Sequence, residues 1–86
     1  MEITVEISYY VLAEDYRKPV REFLDAIRGK QSVLVEAGTM SSLVTGEYKT
    51  VMCLLQEKMN LVLEKYPSVF TLKIANACKS CKTRTV

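Results

Sequence analysis

Thr39, Ser41, Ser42 and Thr45 place four hydroxyl side chains within seven residues, and Gly46 and Glu47 follow directly. A hydroxyl both donates and accepts, so a strand this rich in them can make directed hydrogen bonds to a polar ligand. Near the start of the chain Thr4, Glu6, Ser8 and Tyr10 alternate with Ile3, Val5, Ile7 and Tyr9. That period of two assigns the polar set to one face of a strand and the apolar set to a core. Lys73 lies on the more polar side of a later alternating run, Val69 to Ala75. Brought onto one open sheet face, Glu6, Ser8, Tyr10, Thr39 and Ser41 form a candidate ligand-binding set. Their carboxylate accepts from an amine, and their hydroxyls serve ring nitrogens. A cation can rest on a tyrosine face or beside Glu6. Lys73 suits a phosphorylated ligand or pairs with Glu6. A second reading stays open beside this one: serine and threonine tolerate a solvated sheet, and threonine has good strand propensity, although glutamate is depleted in strands.

Other chemistry is poorly supplied. The chain has no histidine, and no serine or cysteine has a local activator, so an enzyme is not expected. No cofactor is expected either. Cys78 and Cys81 provide two ligands where zinc takes four, and they follow the last strand instead of opening a helix as a redox pair does. Cys53 falls on the polar face of a helix. Twelve Lys and Arg against ten Asp and Glu leave a net charge of +2, too balanced to point to nucleic acid or a membrane surface. The first residues, Met1-Glu2-Ile3-Thr4, lack the basic and apolar regions of a signal peptide. Three cysteines read as reduced thiols in an unexported protein, so a cytoplasmic location is expected.

The elements that must hold these residues follow from periodicity. A chain of 86 residues makes one domain, assigned to residues 1–77 with a short basic tail at 78–86. A domain this small buries only about 60–65% of its unfolded surface, which favours self-association. Pro19 suits the first turn of a helix. Val20, Phe23, Leu24 and Ile27 form its apolar stripe, with Arg21, Asp25 and Arg28 opposite and Arg21 placed to pair with Asp25. Gly29 ends it. A strand over 32–37 leads through Gly38 to a second strand over 39–45. In that strand Thr39, Ser41, Leu43 and Thr45 share the open face, while Met40, Ser42 and Val44 face the core. Gly46 ends the strand and Glu47 opens the second helix, where its charge favours the helix dipole. Val51, Leu54, Leu55, Leu61 and Val62 form that helix's apolar face, and Pro67 closes it. The order β-α-β-β-α-β is the α+β, ferredoxin-like split βαβ arrangement: a four-stranded antiparallel sheet with two helices on one face.

Several short motifs add a resemblance. Glu6-Ile7-Ser8-Tyr9-Tyr10, the step from Tyr16 to Pro19, the stretch from Thr39 to Glu47, and Lys73-Ile74 match in order and spacing. Over about residues 2–76 the chain resembles the small thiamine-binding protein family, the YkoF-like group formerly classed as a domain of unknown function. The resemblance implies a ferredoxin-like subunit that forms dimers or tetramers. It also implies a ligand such as thiamine or its hydroxymethylpyrimidine half, in vitamin uptake or salvage. The Cys78–Cys81 tail lies outside it. Three other readings share the topology. An RNA-binding module needs exposed aromatics on the central strands, where the hydroxyl-rich strand has none. A metal carrier of this fold places its cysteine pair in the first loop. An assembly module would bury its open sheet face against another subunit and have no small ligand.

Overall fold

The computed structural model describes residues 1–29 and 32–76. The expected domain boundary after residue 77 and the Cys78–Cys81 pair fall outside the described residues. β1 (Glu2–Val11), α1 (Arg17–Ile27), β2 (Val33–Ala37), β3 (Ser42–Glu47), α2 (Tyr48–Lys65) and β4 (Ser68–Ala75) follow one another as expected. The strands form one antiparallel sheet in the order β2-β3-β1-β4, and both helices lie on one face of it.

Alternation in β1 sets the two faces. Ile3, Val5 and Ile7 are buried, because each meets the helices while its neighbours turn away. They join Phe23 and Ile27 of α1, Val33 and Val44 of the neighbouring strands, and Val51, Leu54, Leu55 and Val62 of α2 in one core. Tyr9 extends this core. Its ring stacks on Phe70 with centroids 4.3 Å apart and meets Phe23 edge-on at 5.6 Å. Its hydroxyl lies 2.9 Å from Ser68 Oγ. Ser68 donates its own proton to the Tyr66 carbonyl at 3.0 Å, so Tyr9 is the donor of that pair.

Four local expectations are corrected. The hydroxyl-rich strand begins at Ser42, not Thr39, because the Gly38 N–H donates to the Ser41 carbonyl at 2.9 Å and closes a hairpin loop over 38–41. Met40 sits on that loop and is 87% exposed, so it does not enter the core. Gly46 does not end β3. It lies within the strand, paired with Ile3 on one side and Val33 on the other. Leu61 is also exposed: adjacent helical residues point about 100° apart, and Val62 takes the inward direction.

The helix ends are settled by different means. Gly29, with φ 78°, follows α1 in the left-handed conformation that glycine adopts without penalty. Glu47 caps α2, its carboxylate accepting from the backbone N–H of Lys49 at 2.7 Å and of Thr50 at 3.3 Å. The two helices are tied at one end, where the Lys65 ammonium and the Tyr66 hydroxyl each donate to the Glu22 carboxylate at 3.1 Å. The backbone donors of Thr50 and Lys49 hold the Glu47 carboxyl below the usual glutamate range, and the hydrogen bond from Lys65 does the same for Glu22. A carboxyl depressed in the folded state stabilises it above the unfolded-state pKa, and the contribution is lost as pH falls through the folded value. The Glu47→Ala variant is therefore expected to unfold at lower denaturant than the parent at neutral pH, with the gap closing in acid. Denaturant midpoints measured across the acid range check this, and a gap that held constant would contradict it.

Candidate functional site

The helix-free face is built in rows across the strands. Register places Glu36, Leu43, Glu6 and Lys73 side by side, with Leu34, Thr45, Thr4 and Ala75 in the next row. Glu6 is the centre of the polar contacts. Ser41 Oγ donates to Glu6 Oε2 at 3.1 Å, and Lys73 Nζ lies 3.8 Å from Glu6 Oε1. The Lys73 side chain is 82% exposed, and such a solvated pair contributes about 0–1 kcal/mol. Thr45 also lies on this side, but it is 8% exposed and its hydroxyl is 3.3 Å from that of Thr4. That cross-strand contact occupies it. Ser8 is half-buried opposite Thr71, and Tyr10 is exposed opposite Val69.

The expected set is thus brought together in part. Glu6, Ser41 and Lys73 touch, and Ser8 and Tyr10 share their face. Thr39 does not join them, because the hairpin loop carries it off the sheet. The expected facing holds for Ser41, Thr45 and Val44: the first two lie on the Glu6 side, and Val44 is fully buried. The face itself is a sheet surface that also exposes Leu34, Leu43, Tyr10 and Val69. Its best carboxylate already has two partners.

A concave site lies elsewhere. Between α1 and the loop before β3 is a cleft of about 510 Å3, within the roughly 300–1,000 Å3 typical of small-molecule pockets. Its apolar wall comes from Ile7, Tyr9, Val20, Phe23 and Leu24, and its loop side from Thr39, Met40, Ser41 and Ser42. The remaining wall is the polar stripe of α1, with Arg17, Arg21, Asp25 and Arg28, entered beside Tyr16. Ser41 belongs to both places: it lines the cleft while its hydroxyl holds Glu6. The expected Arg21–Asp25 ion pair does not form among the described residues.

The sequence alone does not mark the cleft residues of α1 as a site. The available signal was their spacing. Positions 17, 21, 25 and 28 fall on one stripe of a helix, but a charged stripe is also what any solvated helix face presents. Only the position of the loop beside α1 turns it into a wall. For metal binding, no group of three Asp, Glu, His or Cys side chains comes together among the described residues. No helix among them is long and apolar enough to cross a membrane.

No protein-family model matches the chain, and no curated protein matches it in sequence. Solved structures do match in shape. Protein SP2199 of Streptococcus pneumoniae superposes with a TM-score of 0.82 at 12% identity, over 92% of this chain and 90% of that one. TM0486 of Thermotoga maritima, provisionally assigned to thiamine biosynthesis or salvage, superposes with a TM-score of 0.77 at 21% identity, over 90% of this chain and 85% of that one. A domain of unknown function, DUF77, from Bacillus cereus gives 0.75 at 16% identity, over 96% and 83%. At these identities the likeness establishes that the chain shares the ferredoxin-like fold of these proteins.

Proposed function

We infer that the chain is a non-catalytic, cytoplasmic small-molecule-binding protein. Its ligand is thiamine or the hydroxymethylpyrimidine part of it, and it acts as a homo-oligomer in vitamin uptake or salvage. The observation that carries this reading is the cleft beside α1, which combines an aromatic wall with hydroxyls and a carboxylate. An aminopyrimidine is flat, and it presents an amine donor and ring-nitrogen acceptors. Tyr9 and Phe23 suit the ring, the Ser42 hydroxyl a ring nitrogen, and Asp25 the amine. Asp25 is free for this, having no hydrogen bond or ion pair among the described residues. The shape match to TM0486, named for thiamine biosynthesis or salvage, supports the ligand class. Glu6, Ser8, Tyr10 and Lys73 form the alternative ligand surface on the open sheet face.

A second reading has its own observation. Tyr10, Leu34, Leu43 and Val69 are exposed across the open face, and burying them against a second copy would add the apolar area a small domain lacks. The chain would then be an assembly module. One experiment addresses both. Backbone amide spectra are recorded during titration with hydroxymethylpyrimidine, at a protein concentration where sedimentation has fixed the oligomeric state. Shifts clustered at residues 16–25 and 38–42 are expected. Shifts confined to β1 and β4 would move the ligand to the open face. Absence of any shift at millimolar ligand would remove the ligand reading and leave assembly.

A further inference from the structure

The charge along the cleft is uneven, and this bears on what the cleft takes. Three guanidinium groups, those of Arg17, Arg21 and Arg28, line it against one carboxylate, Asp25. None of the three has an ion pair among the described residues. Of the carboxylates near them, Asp15 shares a shallow surface depression with Arg17 and Arg21 but pairs with neither among the described residues, and two others are engaged elsewhere. Glu22, on the same helix, is turned to Lys65 and Tyr66, and Glu6 is held by Ser41 and Lys73. Exposed arginines on a helix are ordinary. These three differ in sharing one stripe, and in bordering an aromatic-walled cleft whose opposite side is a row of hydroxyls.

Position along the helix separates the charges further. Arg17 and Arg21 are one turn apart at the Tyr16 end, and Asp25 follows about one more turn on, roughly 6 Å away. The cleft therefore has a cationic end and, beside it, a carboxylate acceptor. A planar guanidinium matches two phosphate oxygens at once, and such charge-assisted pairs are about twice as strong as neutral hydrogen bonds.

We propose that the cleft takes a flat heteroaromatic amine bearing a phosphate monoester. The phosphate lies against Arg17 and Arg21, the ring along the Tyr9 and Phe23 wall, and the ring amine at Asp25. This rests on the cleft being the ligand site and adds the ionic class of the ligand. The phosphorylated form, not the free alcohol, is then the molecule the protein holds. The reaction that supplies such a ligand is a kinase step, in which the alcohol's oxygen takes the terminal phosphoryl group of a nucleoside triphosphate and the nucleoside diphosphate leaves.

Calorimetry at low ionic strength tests the proposal with three probes: hydroxymethylpyrimidine, its phosphate monoester, and inorganic phosphate. The monoester is expected to bind at least about tenfold more tightly than the alcohol, and inorganic phosphate more weakly than the monoester. The Arg17→Gln and Arg21→Gln variants are each expected to shrink the monoester-to-alcohol ratio by about three- to tenfold. Both positions are exposed, so the fold tolerates the changes. Lys49→Gln, an equal change of net charge at an exposed site on α2, is expected to leave the ratio in place. Equal affinity for monoester and alcohol would overturn the proposal while keeping the cleft as a binding site. Equal loss of the ratio in Lys49→Gln would overturn it in favour of diffuse charge. Inorganic phosphate binding as well as the monoester would overturn it by removing the ring from recognition. No binding of any probe would remove the ligand reading itself, and the proposal with it.

Discussion

Phe23→Ala is expected to destabilise the fold by about 3–5 kcal/mol, the usual cost of truncating a buried phenylalanine. Phe23 is 2% exposed, and its ring lies 5.6 Å from that of Tyr9 and 5.1 Å from that of Phe70. Removing it leaves a cavity between α1 and two strands and breaks two ring contacts together. A chain of this length has a total stability of roughly 4–13 kcal/mol, so the loss is a large share of the whole. Urea denaturation should show a midpoint lower by about 2–3 M, taking a slope near 1.5 kcal/mol/M. Phe23→Leu keeps most of the volume and is expected to lose about 1–1.5 kcal/mol, which keeps the test informative if the alanine variant does not fold. A loss below about 1 kcal/mol in Phe23→Ala would show that the site collapses around the change. Phe23 also lines the cleft, so the leucine variant reports whether the aromatic wall contributes to ligand binding independently of the fold.

Gly46→Val is expected to destabilise by about 2–3 kcal/mol, at the upper end for overpacking. A Cβ at this position would stand 2.9 Å from the Ser32 carbonyl oxygen and 3.0 Å from Val51 Cγ2. The first of these is backbone and cannot rotate away. Gly46 lies where β2, β3 and the start of α2 converge, paired across both sides of its strand. A larger residue must push α2 or β2 off the sheet. Gly46→Ala meets the same two atoms with less volume and is expected to fall about 1 kcal/mol below the parent. Thermal or chemical denaturation of both variants checks the order, and a neutral Gly46→Val would mean that the approach of α2 is not tight. Valine would be the better strand former at an unconstrained position, so this effect runs against propensity and isolates the packing term.

Alternation and element order bring Glu6, Ser41 and Lys73 to one face, and the structure joins them through two contacts to one carboxylate. Thr39 and Met40 lie off the strand for one reason. Polar and apolar residues stop alternating at Ser41-Ser42 and again at Leu43-Val44, so the break at 41–42 does not by itself mark the point where the hairpin closes. That point is set by a backbone hydrogen bond between Gly38 and Ser41, which no side-chain period reports. Leu61 is exposed because α2 turns Val62 inward at that level, and how α2 rolls against the sheet is not carried by the apolar pair at 61 and 62.

The sequence by itself determined the order of elements, the inward set of β1, the apolar stripe of α1 and its stop at Gly29, and the shared face of Glu6, Ser41 and Lys73. These follow from period, turn chemistry and steric limits that act within a few residues, together with a topology that few alternatives satisfy. Tertiary structure alone decided the cleft. Its sides come from three elements, with Ile7 and Tyr9 on β1, the arginines on α1 and the hydroxyls on the hairpin loop, and the charged stripe and the loop, each read separately, are ordinary solvated surfaces. Tertiary structure also decided which hydroxyls remain available. Thr45 is occupied by Thr4, because partners across a sheet are fixed by register and register is a property of the assembled strands, and Ser41 is occupied by Glu6, because the hairpin loop brings its hydroxyl to β1.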